Sequence, residues 1–213
     1  MIQILQNTTS FPISTIGHNA GICYNSDITN NNLNYKRGLR CIKENHGEMI
    51  EFPIVSFIAD GYSARVIREL LRHRHTTKAQ SSTRYVNYDN FSYYTPKNIA
   101  DNEKALKLYE QTMAKIKIAY EDLVKIGRPK EDVANLLPLG MESKIVFQCN
   151  LRELIHICNL RLCSRAYVEA RKLCKDLIEE LSLIDSEWRD ICDGFLKPRC
   201  KTCTEKENCE INS

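Results

Sequence analysis

Residues Phe52–Arg84 read FPIVSFIADGYSARVIRELLRHRHTTKAQSSTR, and the rest of the chain is ordered around them. Phe52–Ala59 is a short apolar run rich in β-branched and aromatic residues, which predicts a buried strand. Tyr62–Arg72 then places Val66, Ile67, Leu70 and Leu71 on one side at helical spacing, the signature of a helix packed on a core. Arg72-His73-Arg74 puts two permanent cations and one titratable ring at the end of that helix. Successive helical residues diverge by about 100°, so Arg72 and Arg74 address different directions. Ser81-Ser82-Thr83-Arg84 follows with hydroxyls, consecutive N–H groups and a planar guanidinium, a donor set suited to a phosphate dianion. A fixed Arg–phosphate pair contributes about 1.5–3 kcal/mol net. From these residues alone the segment reads as a phosphate or nucleotide site, or as a basic helix end followed by a polar turn.

Working outward, residues 1–26 predict an irregular or strand-like lead-in. Asn30–Asn45 predicts a helix with Leu33, Leu39, Cys41 and Ile42 as apolar positions, closed by a glycine cap at His46-Gly47. Val86–Pro96, rich in Tyr and Asn, mixes loop and strand. Asn102–Ile126 is the clearest long helix, with Leu106, Tyr109, Met113, Ile116, Ala119, Tyr120 and Leu123 at spacings of three and four, ended by Gly127. Pro129, followed by Glu131 and Asp132, starts another helix that ends near Leu137-Pro138. Ile145–Cys149 predicts a strand, and Arg152–Cys158 and Arg161–Leu183 predict helices. Helices dominate over a few non-local strands, so the expected class is α+β: a single domain with a small, mostly antiparallel sheet packed by long helices. Residues 1–190 are expected to form the domain and 191–213 a Cys-rich tail.

The composition excludes several classes of function. The 213 residues are 43% hydrophobic and 27% charged, which is globular rather than disordered. Apolar runs fall far short of the roughly 20 residues that span a bilayer, so no membrane partner is expected. The opening MIQILQNTTSFPIS lacks the basic start and apolar stretch of a secretion signal, which predicts a cytoplasmic protein. Net charge is only +3, yet Arg65, Arg68, Arg72, Arg74, Lys78 and Arg84 cluster with Glu69 as the one acid among them. Such a cluster suits an anionic small molecule or a nucleic acid. No aromatic residue interleaves it to stack on bases, which argues against nucleic acid.

Ten cysteines is a high count, and most lie in segments that read as helix or strand, as reduced core cysteines do. The tail differs: Cys192, Cys200, Cys203 and Cys209 give C-x7-C-x2-C-x5-C. Four thiols at such spacing could close a tetrahedral zinc site. A free reduced tail, a facultative disulfide and an iron–sulfur cluster remain alternatives.

Arg72, His73, Arg74, Thr77, Ser82 and Arg84 stand at the spacing RHRxxSxxxxSxR, with Thr77 in place of the first Ser. The segment resembles the signature of flavin-dependent thymidylate synthases. The resemblance extends to Ala20-Gly21-Ile22-Cys23-Tyr24, to Asn45-His46-Gly47, to Gly127-Arg128-Pro129 with Leu136–Leu139, and to Asn159-Leu160-Arg161 with Arg165-Ala166 and Glu169-Ala170-Arg171. It implies that family's α+β fold and a homotetramer whose subunits share FAD and dUMP sites. It implies a methyltransferase of dTMP biosynthesis that reductively methylates dUMP, with methylenetetrahydrofolate as one-carbon donor and FAD and NADPH as reductant. By resemblance FAD is contacted by Arg72, His73, Arg74, Gln80, Asn159, Arg161 and Arg165. The dUMP set is Glu69, Arg72, Gln80, Ser81, Ser82, Thr83, Arg84, Lys144 and Arg171. Arg171 matches the family's catalytic arginine, a cation that lowers the pKa of a pyrimidine nitrogen becoming anionic. Ser82 has no His or Asp at triad spacing and is expected to hold phosphate rather than act as a nucleophile. Glu69, Gln80 and Lys144 depart from the family's common Gln, Glu and Arg; Lys144 keeps the charge but loses the bidentate fork. The alternatives are a catalytically lapsed homologue and a nucleotide- or nucleic-acid-binding protein.

Overall fold

The computed structural model describes residues 1–200, 203, 204 and 209. In chain order its elements are β1 (Ile2–Ile4), α1 (Pro12–Cys23), α2 (Asn31–Lys43), α3 (Gly47–Ile50), β2 (Ile54–Ser63), α4 (Ala64–Leu70) and β3 (Thr76–Gln80). They continue with α5 (Lys97–Ala100), α6 (Glu103–Lys125), α7 (Lys130–Val133), a 3₁₀ turn (Ala134–Leu136), β4 (Glu142–Asn150), α8 (Leu151–Arg161), α9 (Val168–Ser182) and α10 (Ser186–Gly194). The class is α+β, as expected.

The strands lie in the order β1-β2-β4-β3. β1 runs antiparallel to β2, with Ile2 opposite Ala59 and Ile4 opposite Phe57. β2 and β4 are also antiparallel: the Leu151 amide donates to the Pro53 carbonyl (2.9 Å), and the Ala64 amide to the Met141 carbonyl (2.7 Å). Burial along β4 alternates through Ser143, Ile145, Phe147 and Cys149, the two-residue period of a strand with one face on the core.

The residues divide into two compact units interleaved in sequence. The first comprises Met1–Ala59, Leu71–Lys78 and the described residues from Val146 onward. In its core Phe57 and Phe147 meet with ring centroids 5.3 Å apart. Leu151 and Leu154 of α8, Leu173 and Leu177 of α9, and Trp188 and Ile191 of α10 are buried there. Each such side chain contributes about 1.5–3 kcal/mol. The second unit, Asp60–Leu70 and Ala79–Ile145, centres on Met113 and Tyr120 of α6, packed with Tyr88, Phe91, Val133 and Met141.

α6 keeps both of its expected ends. Asn102 caps it by accepting the Ala105 amide (3.0 Å), and Gly127 takes a left-handed φ of 80° just beyond it. Other expectations are corrected. Residues 12–23 are helical, not irregular, because the missing local cap is supplied from far along the chain. The Phe11 amide donates to Asp185 (2.9 Å) and the Ser14 amide to Glu187 (2.8 Å), two acids on the orphan donors of α1. α2 stops at Lys43, and Asn45, not Gly47, takes the left-handed turn with φ 56°. The two helices expected over Arg152–Cys158 and Arg161–Leu183 are present with a later break, since α8 runs on to Arg161 and α9 begins at Val168, and β3 and α10 were not foreseen. α10 runs across position 191, and Ile191 and Cys192 are buried.

Candidate functional site

α4 ends at Leu70, so Arg72-His73-Arg74 lies just past the helix rather than in its last turn. His73 turns its ring into the protein, while Arg72 and Arg74 stay exposed. Three hydrogen bonds from two side chains hold this turn. Lys78 Nζ reaches the carbonyls of Leu71 (2.9 Å) and His73 (2.7 Å), and Thr76 Oγ1 donates to the His73 carbonyl (2.9 Å).

The ring of His73 links two distant parts of the sequence. Its Nδ1 lies 3.0 Å from Glu153 Oε1, and Arg161 Nε donates to its Nε2 across 3.4 Å. A guanidinium can only donate, so Nε2 offers its lone pair and Nδ1 carries the proton that Glu153 accepts. His73 is therefore neutral. Burial holds its pKa below the ordinary histidine value, the Glu153 bond pulls it upward, and the Arg161 charge pushes it down. His156 approaches edge-on with ring centroids 5.8 Å apart. His73, Glu153 and His156 are the one trio of metal-ligand type within 4.8 Å among the described residues. Both nitrogens of His73 are already engaged, so the trio works as a hydrogen-bonded cluster. Glu153 escaped the sequence reading because Asn150-x-x-Glu153 looks like a helix cap, and Asn150 does accept the Glu153 amide (2.8 Å).

The turn from α8 to α9 carries the second group of expected residues. Asn159, Arg161 and Arg165 line a cavity of about 420 Å³ together with Cys163, Cys200, Cys203 and Cys209. Arg171 on α9 braces this turn, its Nη1 donating to the carbonyls of Ser164 and Ala166. Of the expected four cysteines, Cys200, Cys203 and Cys209 line this cavity. Cys192 is buried on α10 and donates to the Ile178 carbonyl (3.5 Å), and burial pushes its thiol up to about 12. Cys163 lines the cavity in its place.

A further cavity of about 700 Å³ in the same unit is lined by Ala20 and Tyr24, by His46 and Gly47, and by Arg37 and Arg40. The two stretches weakly matched at the N-terminus and at the His-Gly turn thus border one space. Arg40 and His46 both contact Glu44, at 2.7 Å and 3.0 Å.

The remaining expected nucleotide residues belong to the second unit. Ser81 and Lys144 line a cavity of about 310 Å³ with Asp60, Tyr88 and Ser143. The Ser81 amide donates to the Lys144 carbonyl (2.9 Å), and Gln80 Nε2 donates to Ser143 Oγ (3.2 Å). Burial raises the Tyr88 phenol, opposed by its hydrogen bonds with Ser81 and Ser143. Lys144 Nζ is 2.6 Å from Asp60, and Arg84 Nε is 2.7 Å from Glu131, both pairs well exposed. Ser82 Oγ accepts the Arg84 amide (3.2 Å), Thr83 is half-buried beside it, and Glu69 is half-buried on α4.

A basic turn is thus anchored on a buried neutral histidine, whose partner Arg161 lines the cavity of about 420 Å³. Residues 4–185 match the family described as thymidylate synthase complementing protein. A flavin-dependent thymidylate synthase of Geobacter sulfurreducens is 34% identical over 158 residues, covering 73% of this chain and 68% of the relative. Those of Pyrococcus furiosus (29% over 208 residues, 92% and 85% covered) and Pyrococcus abyssi (31% over 175, 79% and 72%) are similar too. The chain belongs to the flavin-dependent thymidylate synthase family. No described helix is long and apolar enough to cross a membrane.

Proposed function

We propose that the chain reductively methylates dUMP to dTMP, using methylenetetrahydrofolate as one-carbon donor, NADPH as reductant and FAD as cofactor. The observation that carries this reading is the contact of His73 with Arg161. It joins the signature turn to the Asn159–Arg171 segment, the two anchors of the resemblance, through one buried ring.

The residues present fit FAD. Its pyrophosphate needs cations, and its size needs a cavity of several hundred Å³. Arg37 and Arg40 border about 700 Å³, and Arg72 and Arg74 are exposed beside the rigid turn. We assign FAD to Arg72, His73, Arg74, Gln80, Asn159, Arg161 and Arg165, with Ala20–Tyr24 and His46-Gly47 bordering it. Bound FAD supplies the reducing equivalents, chemistry that no side chain offers. Neutral His73 holds its turn in one geometry and adds no charge there.

Ser81, Ser82, Thr83 and Arg84 bind the dUMP phosphate. An exposed pair such as Arg84–Glu131 contributes about 0–1 kcal/mol, whereas a fixed Arg–phosphate pair contributes about 1.5–3, so phosphate displaces Glu131. Lys144 and Glu69 complete the pocket, with Asp60 screening Lys144 and weakening its pull on an anion. Arg171 has five N–H donors and spends those of Nη1 on the turn; the rest of its fork polarises the uracil ring. The active assembly is a homotetramer with shared sites.

Protein reconstituted with FAD and supplied with NADPH, methylenetetrahydrofolate and dUMP should form dTMP. A protein that takes up no FAD would sink the flavin assignment, and one that binds FAD without forming dTMP would mark a lapsed enzyme.

A further inference from the structure

The C-terminal cysteines and Cys163 meet around one cavity, and the flavin reading makes no use of them. Cys163 sits in the turn after α8, and Cys200, Cys203 and Cys209 come from the segment beyond α10. Two of its described residues touch the turn: the Arg199 amide donates to the Asn159 carbonyl (3.4 Å), and Cys209 Sγ lies 3.6 Å from Ser164 Oγ. All four cysteines are partly exposed free thiols, unlike the buried Cys149, Cys158, Cys174 and Cys192. Three thiols from residues 200–209 and a fourth from the turn at Cys163, brought onto one cavity, are a ligand set rather than core filling.

We propose that Cys163, Cys200, Cys203 and Cys209 hold a four-iron, four-sulfide cluster. Size decides against a single zinc ion. Zinc–sulfur bonds of about 2.3 Å bring the four sulfurs of a tetrahedral site to within about 4 Å of one another and leave no cavity. Among the described residues no three cysteine sulfurs lie within 4.8 Å of one another, and the four cysteines share with other residues the lining of a cavity of about 420 Å³. In a cubane cluster each thiolate binds a different iron at a separate corner, which needs this wider arrangement. Three ligands from one short segment and a fourth from a distant turn also suit it. Each thiol gives its proton to solvent on ligation, and four thiolates leave the centre net negative. Arg199, which the flavin reading does not use, lines the same cavity and offsets that charge. The cluster pins the C-terminal segment onto the α8–α9 turn.

The test is metal and sulfide analysis of full-length protein purified without oxygen and reconstituted with ferric iron, sulfide and a thiol reductant that takes half of the iron to the ferrous state. The expected result is about four iron and four acid-labile sulfide per chain. Cys163→Ser and Cys203→Ser should each lose more than half of that iron, while Cys192→Ala keeps it, with circular dichroism confirming the fold of each. About one zinc and no iron per chain overturns the proposal, as does less than one iron after reconstitution. Loss of iron from C192A with C163S unaffected overturns the assignment of Cys163. FAD content is measured on the same samples, so loss of flavin and loss of cluster are read separately.

Discussion

At the scale of single residues, His73 is held neutral by where its neighbours put their hydrogens. Folded His73 takes up a proton less readily than it does in the unfolded chain. As pH falls below about 6.5, the unfolded state therefore gains protons that the fold refuses, and stability drops. The contribution is complete above that value and is lost progressively toward the lower folded pKa. Urea midpoints followed from about pH 7.5 to about 5.5 should decline in the wild type and decline less in His73→Gln; equal slopes would show that Glu153, Arg161 and His156 do not set this titration. Arg171 joins two roles, a brace on the Ser164–Ala166 turn and a cation for the substrate. Arg171→Ala should lower kcat about 100-fold with FAD still bound, and Arg171→Lys should recover part of it; unchanged turnover would refute the role. Arg72, His73, Arg74 and Arg84 were legible in the sequence because a spaced motif survives without knowledge of contacts. Glu153 and the bracing role of Lys78 were not, because their partners are a ring and two carbonyls that only the folded turn presents.

Among the elements, legibility followed the reach of the forces involved. α6 was readable at both ends because Asn102, Gly127 and its apolar stripe all act within a few residues. α1 was not, because its N-terminal amides are satisfied by Asp185 and Glu187, over 170 positions away. The break between α8 and α9 falls several residues later than the one expected before Arg161, and is stabilised by Arg171 from inside α9. The α1–α2 pair depends on two glycines. A Cβ on Gly17 would lie 1.7 Å from the Asn34 carbonyl oxygen, and one on Gly38 would lie 1.8 Å from that of Ile13. Gly17→Ala and Gly38→Ala should each destabilise by about 3 kcal/mol or more, since backbone must move. Gly194→Ala meets nothing within 4 Å and should be neutral or stabilise by about 0.5 kcal/mol. Similar denaturation midpoints for all three would contradict the close approach of α1 and α2.

For the whole molecule, the α+β class was readable from helical periodicity, whereas the partition into two interleaved units was not. Nothing in the linear pattern of β2 or β4 marks the points at which these strands pass from one unit to the other. The proposed tetramer predicts a light-scattering mass near four times the 24.6 kDa chain; a monomer would contradict shared sites. The central claim concerns chemistry on dUMP, and tritium release from dUMP labelled at ring carbon C5 reads it most directly. With FAD, NADPH and methylenetetrahydrofolate present, tritium should pass into water in step with dTMP formation, and omitting the folate should abolish dTMP. A folded, FAD-loaded protein that releases no tritium and forms no dTMP under these conditions would contradict the account.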